Sequence, residues 1–108
     1  MAALEALERM LAAGKDSPML RFSLGNEHLR AGDAAAAAAH LEHAVAQDPN
    51  YSAAWKALGK AREAAGDRAG AMAAWAQGVT VATARGDQQA AREMGVYLKR
   101  LSRENPPD

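Results

Sequence analysis

The sequence predicts an all-α fold of stacked antiparallel helix pairs, about five to six helices with no sheet, on three observations. The chain repeats at a fixed offset of 34 residues: Leu24-Gly25 recurs as Leu58-Gly59, Ala31-Gly32-Asp33 as Ala65-Gly66-Asp67, and Ala37 as Ala71. A period of this size marks helix-turn-helix units that bury their apolar faces only by stacking on one another. Each Gly-Asp pair supplies a residue that can leave a helix through the left-handed region and then an N-cap acceptor for the next helix. Alanine fills more than a quarter of the chain, isoleucine is missing and only four valines occur. That composition favours closely approaching helices and disfavours strands.

The elements follow in order. Met1 to Ala13 carries Leu4, Leu7 and Leu11 at helical spacing. Ser17-Pro18 then places a capping hydroxyl before a proline at the first helical position. Asp48-Pro49-Asn50 ends one helix and opens another, because proline cannot continue a helix. Helices are therefore predicted at 2–13, 18–31, 34–47, 51–65, 68–84 and 88–103. They form a single domain over 1–103, with an N-terminal helix at 1–13, a first repeat at 18–49, a second at 51–84 and a capping helix at 88–103. The tail at 104–108, with Pro106-Pro107, is expected to fray. Met94-Gly95 repeats the Leu-Gly step at an offset of 36, so a two-residue expansion falls near Ala84-Arg85-Gly86-Asp87.

At 108 residues the chain has room for one core and no second domain. Thirteen basic and thirteen acidic side chains cancel, so no overall field draws it to nucleic acid or an anionic membrane. Cysteine is absent, which removes disulfides, thiolate nucleophiles and thiolate metal sites. Glu5, Glu8 and Arg9 interrupt the leucines of the first helix, unlike a signal peptide, and no apolar run approaches the roughly 18 residues of a membrane span. A cytoplasmic protein is expected.

These spacings resemble the tetratricopeptide repeat (TPR) family. In the second repeat Trp55, Leu58, Gly59, Ala71 and Trp75 fall on the consensus sites, Gly78 takes the small site, and Thr83 replaces the closing proline. The first repeat offers Leu24, Gly25, Ala37, Leu41, Ala44 and Pro49, with Arg21 at the early aromatic site. His28 and Arg62 stand where the family usually has a tyrosine. The resemblance covers roughly residues 18–84 and implies an α-α superhelix of two repeats with flanking helices. The flanking helices read as caps, or as docking faces for another copy.

Chemistry finds little purchase. His40 and His43 lie three apart on one predicted helix, a spacing able to bring two imidazoles to one metal. No carboxylate completes the set, and solvent-facing polar histidines are the better reading. No nucleophile stands beside a base and no glycine run forms a phosphate cradle, so neither an enzyme nor a cofactor site is expected. Trp55 and Trp75 sit on repeat sites that pack between helices, which explains them without a nucleic acid.

Resemblance to the TPR family implies a concave groove lined by the first helix of each repeat, which accepts a peptide or protein segment. Repeat register places Met19, Phe22, Asn26, Leu29 and Arg30 there, with Ala53, Lys56, Lys60 and Glu63 from the next helix. Arg92, Val96, Lys99 and Arg100 follow from the cap. The helical period alone puts residues 22, 26 and 29 on one face, and 53, 56, 60 and 63 on another. An apolar patch beside a basic stripe suits an acidic-apolar partner. Some family members clamp the carboxyl-terminal tails of heat-shock chaperones. Asn26 fits that clamp, but Phe22, Ala57, Gln89 and Glu93 depart from it. The expected function is a protein-interaction module with no nucleic-acid or membrane partner, a monomer or weak homo-oligomer. The alternative is a self-associating structural or assembly subunit.

Overall fold

The chain folds, in a computed structural model that describes residues 2–104, into six helices. They are α1 (Ala2–Ala12), α2 (Pro18–Arg30), α3 (Ala34–Gln47), α4 (Ser52–Ala64), α5 (Arg68–Arg85) and α6 (Gln88–Glu104), and no strand occurs among the described residues. The expectation of a frayed tail concerns 105–108, outside the described residues.

Side-chain caps start four of these helices. The Ser17 hydroxyl accepts from the Leu20 amide at 3.1 Å, and Asp33, Asp67 and Asp87 do the same for Ala36, Gly70 and Ala90 at 3.1, 2.9 and 3.2 Å. Each bond satisfies an amide that the helix itself cannot pair. Between α2 and α3, and between α4 and α5, the reversal is made by Gly32 and Gly66 at φ of 81° and 85°. Any side chain there would be strained.

The start of α4 differs from expectation. Asp48 closes α3 but turns its carboxylate to the Asn50 amide, 3.1 Å away, and the N-cap position falls to Tyr51, whose side chain makes no cap bond. The proline of this turn also explains the two-residue expansion downstream. Position 83, which corresponds to Pro49, is Thr83, so α5 is not stopped there and runs for 18 residues against 14 in α3. It ends at Gly86, in the left-handed conformation at φ 78°.

The helices stack as antiparallel pairs, α2 on α3 and α4 on α5, with α6 laid on α5 and α1 touching α2 alone. Close approach within each pair depends on a glycine and a large knob. A Cβ on Gly25 would overlap the Leu41 side chain, and one on Gly59 would overlap the Trp75 indole. Trp75 is 1% exposed, and its indole N–H donates to the Lys56 carbonyl at 3.0 Å, so the knob is fixed in direction as well as depth. Around these contacts run two clusters. Leu41, Ala44, Ala54 and Leu58 build one, and Trp75, Ala82, Met94 and Leu101 build the other, joined by the partly buried Leu98.

The two ends are unequal. α6 buries Ala90, Met94 and Leu101, as a cap should, whereas no residue whose burial is described in α1 is buried and Leu4, Leu7 and Leu11 are only half-buried. Trp75→Ala should therefore cost about 3–5 kcal/mol. Gly59→Ala should cost about 1–3 kcal/mol through overpacking against the indole. Gly95→Ala, where a Cβ meets nothing within 4 Å, should be neutral or stabilising by up to about 1 kcal/mol. Urea denaturation midpoints measure all three, and equal losses at positions 59 and 95 would contradict this packing.

Candidate functional site

The first helices of the two repeats, α2 and α4, diverge on one face of the stack and leave an open cleft of about 380 Å³. Phe22, Asn26, Leu29 and Arg30 line it from α2, and Ala53, Lys56, Ala57 and Lys60 from α4. The helical period places each set on one side of its helix. Phe22 forms the apolar end, tilted against Tyr51 with ring centroids 5.0 Å apart. Burial, then the Asp48 carboxylate, pushes the Tyr51 hydroxyl upward from its ordinary pKa, so this aromatic pair stays uncharged at neutral pH.

Of the thirteen residues expected to line a binding groove, seven come together here: Phe22, Asn26, Leu29, Arg30, Ala53, Lys56 and Lys60. Glu63, Arg92 and Lys99 do not line this cleft. Glu63 instead receives two bonds from the Arg100 guanidinium, at 2.9 and 3.0 Å, which tie α4 to α6. Lys99 and Arg100 belong to a separate shallow surface with Val96, Arg103 and Glu104. Met19, also expected on the groove, sits at the opposite end of α2 with Tyr51 and Arg85, and is 71% exposed. Ala57 is the wall residue that sequence reasoning left out, its register position being the only available signal.

The expected basic stripe is largely neutralised. Lys56 reaches the Glu93 carboxylate at 3.5 Å, Arg30 pairs with Glu27 at 3.3 Å, and Arg100 is shared between Glu63 and Glu104. Lys60 keeps an exposed ammonium, held 5.6 Å over the Tyr97 ring, with no carboxylate beside it among the described residues. Lys60 is thus the one cation of the cleft wall without a carboxylate partner among the described residues.

A family model described as tetratricopeptide repeat matches residues 18–61. A TPR repeat-containing protein of Pseudomonas aeruginosa is 58% identical over 100 residues, covering 93% of this chain and 95% of that one. The chain belongs to the tetratricopeptide repeat family. Among solved structures, a protein of Bordetella parapertussis is 48% identical with a TM-score of 0.84, covering 97% of this TPR chain and 91% of its own. A tetratricopeptide repeat domain protein of Salinibacter ruber is 31% identical with a TM-score of 0.74, covering 81% of this chain and 97% of its own. TPR proteins are generally protein-interaction modules and typically non-catalytic. Among the described residues no helix is long and apolar enough to cross a membrane, and no group of three or more His, Cys, Asp or Glu could hold a metal ion.

The histidines of this TPR domain are arranged differently from expectation. His43 is exposed, but His40 turns inward and stacks on His28 of α2, centroids 5.2 Å apart and planes 15° apart. The tight Gly32-Asp33 reversal brings residue 28 level with residue 40. Arg21 completes the group, its guanidinium 3.2 Å from the His40 Nδ1 and paired on its other side with Asp16. The two hydrogen bonds that Arg21 donates to Asp16, each 2.9 Å long, with help from Gln47, hold the Asp16 carboxyl well below the usual carboxylate range.

Burial lowers the His40 pKa, and the neighbouring His28, Arg21 and His43 lower it further, against a small opposing pull from Glu8. A histidine whose folded pKa lies below its ordinary 6.5 favours folding in its neutral form. That stability is fully present above the ordinary value and drains away as pH falls through it toward the folded value. His40→Gln should therefore flatten the loss of thermal stability between about pH 7 and about pH 5. Parallel melting curves of the two proteins over that window would refute it.

Proposed function

We propose that this domain binds an extended or helical segment of a partner protein in the cleft between α2 and α4. The observation that carries the reading is one open cleft lined by the Phe22 ring, the Asn26 side chain and the Lys60 ammonium, which no carboxylate pairs among the described residues. Asn26 makes no side-chain hydrogen bond among the described residues and offers both a donor and an acceptor to a partner's backbone. The fitting occupant carries an apolar side chain for Phe22 and Leu29 and one carboxylate for Lys60. A polyacidic stretch has less to meet, because Glu93 already occupies Lys56.

Buried aromatic contacts mainly govern release, whereas exposed charges mainly govern encounter. Phe22→Ala should raise the dissociation rate of a captured partner by about tenfold and leave association nearly unchanged. Lys60→Glu should slow association several-fold, with the difference fading as salt screens the charge. Lys56→Glu should do less than Lys60→Glu, since it acts on a cation already paired. The check is capture with wild-type protein, followed by surface kinetics of whatever is recovered at several salt concentrations. A partner indifferent to all three substitutions in folded protein would place recognition elsewhere.

A further inference from the structure

The repeat register continues into both end helices and leaves each with an uncovered face. Leu41 of α3 and Trp75 of α5, the knobs that fill Gly25 and Gly59, stand 34 residues apart, and the same step back from Leu41 reaches Leu7 in α1. Ala3 and Met10 likewise precede Ala37 and Ala44 by 34. Helix α1 is thus a knob helix in the position of α3 and α5. Ala37 and Ala44 are 0% exposed, yet Ala3 is exposed and Met10 is 44% exposed. The side that α3 and α5 press against their own first helix lies bare in α1.

Helix α6 shows the reverse. Ala90 and Met94 are buried as Ala54 and Leu58 are, 36 residues earlier, so α6 takes the position of a first helix. Gly95 then corresponds to Gly59. Where Gly59 is filled by an indole, a Cβ at Gly95 would meet nothing within 4 Å, and the adjoining Val96 is 62% exposed. This is a glycine hole without its knob.

Within the chain, α4 lies against both its own knob helix, α5, and the next first helix, α6. The corresponding place beside α1 and α2 is a cleft of about 460 Å³, lined among others by Ala3, Ala6 and Leu7 on one wall and Ser23 and Glu27 on the other. We propose that a second copy of this chain fills it: α6 of one molecule seats on α1 and α2 of the next, with Leu7 entering at Gly95. This surface shares Asn26 and Arg30 with the α2/α4 cleft, but its walls on α1 and α6 lie outside that cleft, and the contact does not rest on what binds there.

The pairs between α4 and α6 define the register of that contact. Lys56, Lys60 and Glu63 of α4 meet Glu93, Tyr97 and Arg100 of α6 at a constant step of 37. Carried forward by the repeat offsets, that step sets Arg92, Val96 and Lys99 of one copy beside Ser23, Glu27 and Arg30 of the next. Lys99, which has no acidic partner among the described residues, then faces Arg30 and reaches back along the helix, as side chains tilt toward its N-terminus, to Glu27, the carboxylate that Arg30 already holds. The contact joins two different faces, so each added copy leaves one of each exposed and the assembly grows head to tail.

Sedimentation equilibrium of the full chain, from micromolar to millimolar concentration, tests this. The expected average mass rises with concentration from 11.3 kDa and does not stop at the dimer. Gly95→Leu fills the hole without touching the monomer's core, and Ala6→Arg blocks the cleft from an exposed position. Each variant alone should weaken association by at least about tenfold while keeping wild-type helicity. Mixed in equal amounts they should form a dimer and nothing larger, since each supplies one intact face. Phe22→Ala should leave the mass unchanged. A wild type that stays monomeric throughout, or one that forms a closed dimer persisting in both variants, overturns the proposal.

Discussion

Everything in this molecule depends on the glycine of each first helix receiving a large side chain of the second. Without a Cβ at Gly25 and Gly59, Leu41 and Trp75 can reach the opposing backbone, and the two helix axes draw together. The indole is the stricter of the two knobs, because its hydrogen bond to the Lys56 carbonyl fixes its rotation. Close packing inside each pair leaves α2 and α4 to diverge on the other side. The cleft is therefore a by-product of where the small residues lie.

The same constraint explains how charge is distributed. Once α4 and α6 are held at a set spacing, Lys56 faces Glu93 and Glu63 faces Arg100, and these pairs brace adjacent helices while removing charge from the surface. Solvent-exposed pairs of this kind contribute little stability singly, so their larger effect is to decide which cations remain for a partner. Lys60 remains because Tyr97, and not a carboxylate, stands opposite it. The cleft wall and the packing thus share one set of residues, and substitutions on α6 reach the cleft through Glu93.

Much of this was legible in the sequence, and the division follows range. Helix ends were readable at Ser17, Asp33 and Asp67 because a cap is a local event, settled within three residues. Repeat register was readable because Leu-Gly and Gly-Asp recur. One local feature was not resolved: α4 starts without a side-chain cap, since Asp48 bonds within its own turn, whereas the run of α5 past Thr83 was read to within one residue, 68–84 against Arg68–Arg85. Pairs across helices were out of reach. Lys56 and Glu93 are 37 residues apart, and whether they meet depends on the inter-helix spacing that the glycine contacts set. The His28 and His40 stack escaped for the same reason, as did the difference between a well-buried α6 and a half-covered α1.

If glycine and knob act as one unit, their substitutions must be coupled, and a double-mutant cycle on Gly59→Ala and Trp75→Ala measures that coupling directly. Trp75→Ala removes the indole atoms that the new Cβ would overlap, which a leucine, placed as Leu41 is against Gly25, would not do. The expected result is a double variant more stable than the sum of the single losses by at least about 1 kcal/mol, read from urea denaturation at constant m-value. Additive losses would mean that the two residues stabilise the fold independently, and the contact could not then be what sets the spacing of the helices.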